Sequence, residues 1–519
     1  MNMTQPLHRA LSLHPDAVVT IFRDRRRSYR QLVERVARLA GALQQLGMQP
    51  GDRVGMLGLN SDWYFEYILG TWWGGGVVNG VNTRWSVPEI VYSLDDCDTR
   101  ILLVDDNFLS MAEDIRRTAK HPPLLIHVGD GAAPEGMLCY EQLLRDTAPV
   151  ADAERRGDDL ANIMYTGGTT GHPKGVMQSH HNLWSLLMSR LAGRAPAEGY
   201  APALHVAPMF HGAALGGVMV QLVLDQPHVF VPTFEPLELM QTIEREKVHE
   251  TLLVPTMLQV ILMHPQFPRY DLSSLKMMVY GAAPISPALM ELALEHLPEL
   301  EFTQGYGMTE TTSGVVFNGP ANHSAVGVAN GRIRAAGQPA VGVLARIVDE
   351  QDNEVPRGVV GEILLRGDSV MLGYWNRPED TAQAKRGGWM HTGDAGYMDD
   401  EGYIYIVDRV KDMIVSGGEN VYSAEVEGAL ASHPAVALSA VIGIPHAKWG
   451  EAVHAVIVLK PGSSAEGEEI IEHCRRFIAG YKCPKTVEFR EALPLSAAGK
   501  ILKRDLRSPY WKDQQRAVN

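Results

Sequence analysis

The feature that most constrains the fold is an alternation of strand-like and helical runs along the 519-residue chain. Residues 53–59, 76–79 and 100–104 read as strands, with helical runs at 63–70 and 87–95 between them. The pattern recurs with strands at 203–207, 228–231, 250–254 and 276–280 and a helix at 237–246. Strands separated by helices are joined as crossovers, so they predict α/β units with parallel sheets. After Gly342 the texture changes to short strands at 344–349, 359–366, 396–399 and 403–407, with glycine turns and little helix. That segment reads as a β-rich subdomain. Beyond Lys411 mixed elements return, at 425–431, 435–444, 451–459, 467–478 and 486–490. The expectation is therefore an α/β fold: a large N-terminal domain over 1–407 and a smaller α+β C-terminal domain over 413–519, with the boundary at 408–412. Local signals support the first elements. A strand at 17–22 precedes a charged turn at 23–27, and Ser28 with Gln31 has capping-box spacing. Leu32, Val36, Leu39, Leu43 and Leu46 then follow at helical period, with Gly47 as a terminating glycine. The run Arg25-Arg26-Arg27 reads as a solvated hairpin turn in preference to an anion site.

Charge and composition narrow the function. The net charge of −14 disfavours nucleic acid as a partner, because phosphate binding needs a basic surface. It leaves room for a local site for a small anion. A hydrophobic share of 45% and a charged share of 21% are those of a globular chain. Cys97, Cys139, Cys474 and Cys483 form no C-x-x-C, so neither a disulfide framework nor a zinc site is expected, and a reducing cytoplasm fits. No apolar signal-peptide core occurs in residues 1–17, and the longest apolar stretch, 67–81, is broken by Gly74, Gly75, Gly76 and Asn79. No transmembrane segment is expected.

The strongest chemical signal is the string Tyr165-Thr166-Gly167-Gly168-Thr169-Thr170-Gly171-His172-Pro173-Lys174-Gly175. It follows an apolar strand-like stretch. Glycines let backbone N–H groups turn toward an anion, the threonines add hydroxyl donors, and Lys174 adds a positive charge. This is a polyphosphate grip, yet not a Walker motif, since Pro173 precedes the lysine and Gly175 follows it.

This string resembles the phosphate loop of the adenylate-forming superfamily, which includes acyl-CoA synthetases and aryl-CoA ligases. Further segments resemble its other motifs, in order: Pro208-Met209-Phe210-His211-Gly212, Tyr280-Gly281-Ala282-Ala283-Pro284, Gln304-Gly305-Tyr306-Gly307-Met308-Thr309-Glu310, His391-Thr392-Gly393-Asp394, Asp408-Arg409-Val410-Lys411-Asp412, Ser416-Gly417-Gly418-Glu419-Asn420 and Pro494 to Lys500. The resemblance implies an ATP-dependent ligase. A carboxylate attacks the α-phosphorus of ATP to give acyl-AMP and pyrophosphate, and coenzyme A then attacks the acyl carbon and expels AMP.

The resemblance also implies roles. Thr166, Gly167, Gly168, Thr169, Thr170 and Lys174 would hold the ATP phosphates. Gly281, Ala282, Ala283, Gln304, Gly305 and Tyr306 would form the adenine wall. Asp394 and Arg409 would hold the ribose, Thr309 the α-phosphate, and Glu310 a Mg2+ ion. Lys500 would bridge carboxylate and α-phosphate. Residues 408–412 would be a hinge about which a mobile C-terminal domain turns, bringing Ser416, Gly417, Gly418 and Glu419 to the pantetheine arm. The lysines of Gly480–Lys485 would face the CoA phosphates. His211 would lie beside the acyl carboxylate; amino-acid-activating relatives carry aspartate there, so an amino-acid substrate is disfavoured. Gly307 stands where short-chain relatives carry tryptophan, which implies room for a medium- or long-chain fatty acid or an aryl or arylpropenoic acid. Trp72, Trp73 and Trp85 read as core. Gly80 departs from the proline common in relatives. The alternatives are an adenylating enzyme that passes the acyl group to a carrier protein and a non-catalytic nucleotide- or lipid-binding homologue. A homodimer is the oligomer that the resemblance implies.

Overall fold

The computed structural model describes residues 2–166, 172–193, 199–281, 285–409, 412–416, 419–495 and 501–511. The expected α/β architecture is present, with a large N-terminal and a smaller C-terminal domain built on four sheets. Six neighbouring strands of a nine-stranded sheet, Val18–Phe22, His228–Phe230, Ala203–His205, Glu250–Leu253, Met277–Gly281 and Glu301–Gly307, run parallel to one another. Antiparallel strands close its two edges. An eight-stranded sheet is parallel from Leu160–Thr166 through Val77–Gly80, Arg53–Leu57, Ile101–Asp105 and Leu124–Val128. A four-stranded antiparallel sheet, Val343–Val348 to Ile404–Arg409, is the expected β-rich unit. The C-terminal sheet spans Ile414–Ser416 to Thr486–Phe489.

The largest core cluster takes side chains from both large sheets and from the helices Tyr29–Gln45 and Asp62–Trp73. Every residue of Asp62–Trp73 is buried, the acids Asp62 and Glu66 included. Trp72 and Trp73 belong to this core, and Trp85 packs on a neighbouring cluster. The Ser28 capping box forms as its spacing predicts. Among the described residues, no helix is long and apolar enough to cross a membrane.

The arginine run departs from expectation. Arg25–Ser28 is a strand, and Arg27 is buried. Asp62 accepts two hydrogen bonds from Arg25, each 2.7 Å, and pairs with Arg27. Glu66 lies 3.2 Å from Arg27 and is gripped by Arg35 at 2.7 and 3.0 Å. Local sequence shows three like charges in a row; the folded chain places acids from the helix Asp62–Trp73 against them. Charges leave water only when so paired.

Candidate active site

The glycine-rich string joins two strands. Leu160–Thr166 and Lys174–Ser179 pair antiparallel, with Thr166 opposite Lys174. A Walker loop leads from a strand into a helix, so this hairpin explains why the lysine spacing differs. Gly167, Gly168, Thr169 and Thr170 lie outside the described residues. Lys174 Nζ is 2.8 Å from Asp380 Oδ1 and 5.0 Å from the centre of the Tyr374 ring.

Tyr374 connects this cation to Glu310. Its hydroxyl donates to Glu310 Oε1 at 2.7 Å, and burial, then the Glu310 carboxylate, pushes the phenol's pKa upward. It therefore stays a donor at neutral pH. Glu310 lies in the 3-10 turn Thr309–Thr311, which follows the strand Glu301–Gly307. Gln178, buried on the Lys174 strand, donates to the Thr309 carbonyl at 2.9 Å. The turn ends at Thr312, whose φ of +69° is unusual for a β-branched residue. Its hydroxyl donates to the Ser369 carbonyl at 2.6 Å and holds that backbone in place.

The next feature is a narrow glycine wall. Gly281 and Gly305 are opposite each other, and a Cβ on Gly281 would stand 2.6 Å from the Gly305 oxygen. Ala282 and Ala283 lie outside the described residues. Tyr306 donates to Asp394 Oδ2 at 2.8 Å. Asp394 faces Arg409 across the strands Met390–Met398 and Ile404–Arg409, although the Arg409 side chain is outside the described atoms. The Gln304 side chain is buried and accepts from the Tyr280 hydroxyl at 3.2 Å, with His323 Nε2 2.8 Å from the same hydroxyl.

His211 precedes the helix Gly212–Val223. A Cβ on Gly212 would stand 2.8 Å from the Thr312 oxygen, so the histidine loop packs directly against the end of the Glu310 turn. Asn60 fixes this loop, donating to the Ala207 carbonyl at 2.9 Å and accepting from the Met209 N–H at 2.9 Å. Gly80 has a steric reason: its Cβ would meet Phe210 Cα at 3.2 Å. Gly307 also has one. A Cβ there would fall 2.1 Å from the Ser313 oxygen, so close strand approach requires this glycine whatever the size of the acid.

Lys174, Thr309, Glu310, Tyr306, Asp394 and His211 therefore lie on connected elements of the N-terminal domain. Ser416 and Glu419 pair with each other in the C-terminal sheet. Gly417, Gly418 and Lys500 lie outside the described residues; Leu495 and Ile501, which flank the last, form a bridge. Sequence reading missed Tyr374, Asp380, Gln178 and Asn60, none of which carries a local signature. Among the described residues no three His, Cys, Asp or Glu side chains gather to hold a metal.

The AMP-binding enzyme family matches residues 7–375, and the AMP-binding enzyme C-terminal domain matches residues 425–500. The chain belongs to the AMP-binding enzyme family. It is 39% identical over 494 residues to a feruloyl-CoA synthase of an Amycolatopsis species, covering 93% of this chain and 94% of that one. It is 35% identical over 522 residues to the fatty acid–[acyl-carrier-protein] ligase ScoC of Streptomyces coeruleorubidus, covering 99% and 98%. The anthranilate CoA ligase AuaEII, solved with anthranoyl-AMP, superposes with a TM-score of 0.89 at 29% identity, over 98% of this chain and 97% of that one.

Proposed function

We propose that this AMP-forming acyl-CoA ligase activates an arylpropenoic or other aryl acid, or a medium- to long-chain fatty acid. The reaction proceeds through acyl-AMP and ends in thiolysis by coenzyme A. The observation that carries the assignment of residues is the line Lys174–Tyr374–Glu310 beside the glycine string, with Tyr306–Asp394 at the far side. A cation and a buried carboxylate held by one phenol suit a polyphosphate and its counter-ion. The Tyr306–Asp394 pair suits a nucleoside.

In this reading, Thr166, Gly167, Gly168, Thr169, Thr170 and Lys174 hold the β- and γ-phosphates. Gly281, Ala282, Ala283, Gly305 and Tyr306 bound the adenine, with Gln304 as backing. Asp394 accepts the ribose hydroxyls, and Arg409 donates to the ribose. Thr309 donates to the α-phosphate. Glu310 is a hard oxygen ligand and fits Mg2+, which takes few protein ligands and completes its shell with phosphate oxygens and water. When bound, that ion neutralises phosphate charge. Phosphoryl chemistry asks mainly for such positioning and neutralisation. Lys500 donates across the acid and the α-phosphate as negative charge builds there, and His211 borders the acyl carboxylate.

The domains are taken as 1–407 and 413–519, with a hinge at 408–412. Turning about it withdraws Lys500 and presents Ser416, Gly417, Gly418 and Glu419 to the pantetheine arm. The feruloyl-CoA synthase likeness supports an arylpropenoic acid as the first to test. The ScoC likeness supports a second reading, a carrier protein as acceptor. Pyrophosphate release should be measured over a panel of acids, with coenzyme A, a phosphopantetheinylated carrier protein, or neither. The main reading expects acid-dependent release and thioester formed with coenzyme A. Thioester on the carrier alone would overturn it.

A further inference from the structure

Lys174 is held by a carboxylate that the chemistry above does not use. Asp380, 206 positions along the chain, sits 2.8 Å from its ammonium, with both side chains roughly three-quarters buried. The contact is built by pairing. The short strand Gly373–Tyr374 runs beside Lys174–Ser179, with Gly373 opposite Met177 and Tyr374 opposite Val176. The helix Pro378–Ala384 follows directly, and Thr381 Oγ1 ties its first turn back by accepting the Tyr374 N–H at 2.8 Å. Asp380 is therefore fixed to the same strand pair as the lysine.

A second cation stands ready at the N-cap of that helix. Arg377 is 3.9 Å from the other Asp380 oxygen. It also donates to the Tyr92 hydroxyl at 3.2 Å, and the Tyr92 ring stacks on His172 at 4.4 Å and 16°. Arg377 thus lies beside Asp380 and is linked through Tyr92 to His172 at the shoulder of the glycine string. A polyphosphate outcompetes one carboxylate for an ammonium, and Asp380 need not be left unpaired when that happens.

We propose that Asp380 is the resting counter-ion of Lys174, handed over to Arg377 when a polyphosphate takes the lysine. The consequence is a grip on ATP and pyrophosphate kept below its maximum. Binding the ground state and the product more tightly does not raise turnover, and it slows release. The proposal rests on Lys174 being a phosphate ligand.

The test is steady-state kinetics with Asp380→Asn, Arg377→Gln, Lys174→Ala and the double variant Lys174→Ala/Asp380→Asn. Asp380→Asn removes the charge and keeps the shape. It is expected to lower KM for ATP and the inhibition constant of pyrophosphate by roughly three- to fivefold, the scale of a partly exposed ion pair, with KM for the acid unchanged. Arg377→Gln removes the second partner and is expected to raise both. Opposite signs on neighbouring residues would not arise from a merely structural role. In the double variant the Asp380→Asn effect should vanish. An ATP KM that rises or stays level in Asp380→Asn, while Lys174→Ala raises it, overturns the hand-over and leaves the phosphate role standing. An ATP KM unmoved by Lys174→Ala overturns the phosphate role itself. Should Asp380→Asn fold poorly, the Arg377→Gln shift alone decides: a fall or no change refutes the proposal.

Discussion

Replacing Gly307 with alanine separates two explanations of that glycine. If its only purpose is to leave space for a large acid, one methyl group should trim the longest substrates and spare the short ones. The structure argues otherwise. The added Cβ would stand 2.1 Å from the Ser313 oxygen and 2.8 Å from Gly314 Cα. Both are backbone atoms, so no side-chain rotation relieves the overlap. Gly307 pairs with Gly314 just where the register between Glu301–Gly307 and Gly314–Asn318 shifts. Clearing the contact means parting these strands by about 1 Å, and overpacking of this kind costs about 1–3 kcal/mol. The shift falls between Tyr306 and the Thr309–Thr311 turn, and displacing reacting groups by about 1 Å costs on the order of 100-fold in rate. The assay is acid-dependent pyrophosphate release with an arylpropenoic acid, octanoate and palmitate, alongside thermal unfolding. Expected are a lower unfolding midpoint and a similar loss of kcat/KM for every acid. Gly217→Ala is the control. It lies in the helix Gly212–Val223 with nothing within 4 Å of the added carbon, and should gain about 0.5–1 kcal/mol. An unchanged midpoint in Gly307→Ala, with short acids retained and palmitate lost, would refute the packing argument.

Tyr374→Phe removes the 2.7 Å hydrogen bond to Glu310. Charge-assisted bonds contribute about 1.5–3 kcal/mol, so the Mg2+ concentration for half-maximal rate should rise roughly tenfold or more; an unchanged requirement would contradict the assignment of Glu310. Glu66→Leu leaves Arg27 with Asp62 alone and Arg35 with the less buried Glu141, and should cost about 3 kcal/mol in denaturant unfolding, while a neutral result would mean Glu66 adds nothing to the network. His205 and His228 are buried with ring nitrogens 3.0 Å apart, and burial lowers the His205 pKa to about 3 and that of His228 below its ordinary value too. The unfolded imidazoles titrate near 6.5, so below that pH the unfolded chain binds protons that the native one does not. Stability should be full above about pH 6.5 and decline toward pH 3, with a shallower decline in His228→Phe; equal slopes in the two proteins would exclude this pair as the cause. Lys500→Ala should abolish acyl-AMP formation yet leave thiolysis of supplied acyl-AMP largely intact, and equal loss of both half-reactions would remove its assigned role.

What sequence could and could not reveal follows from the range of the interactions concerned. The helix Tyr29–Gln45 was legible because its signals are local: a capping box across three residues, leucines at helical spacing, and a glycine at φ +101° past its end. Central parallel strands of both large sheets, such as Arg53–Leu57, Ile101–Asp105, Glu250–Leu253 and Met277–Gly281, were legible for the same reason, as short apolar runs between helices, whereas Leu124–Val128 and Glu301–Gly307 were not. The strand Arg25–Ser28 was not, since three arginines become strand-forming only when Asp62 and Glu66 arrive to neutralise them. The helix Gly212–Val223 was also overlooked as a helix, being apolar without period.

The candidate site divides along the same line. The glycine string and the Tyr306–Glu310 segment are contiguous, so their composition shows. The groups that orient them are distant in sequence. Tyr374 reaches Glu310 across 64 positions and Asp380 reaches Lys174 across 206. Both lie in one short stretch, Gly373–Ala384, whose composition reads as an ordinary turn and helix. That stretch gains its importance from pairing with Lys174–Ser179, an edge contact that no periodicity announces. A single sequence thus identifies the groups proposed to meet the substrate better than the groups that aim them. The aiming residues are consequently where substitutions should tune ATP affinity and metal demand without abolishing the chemistry.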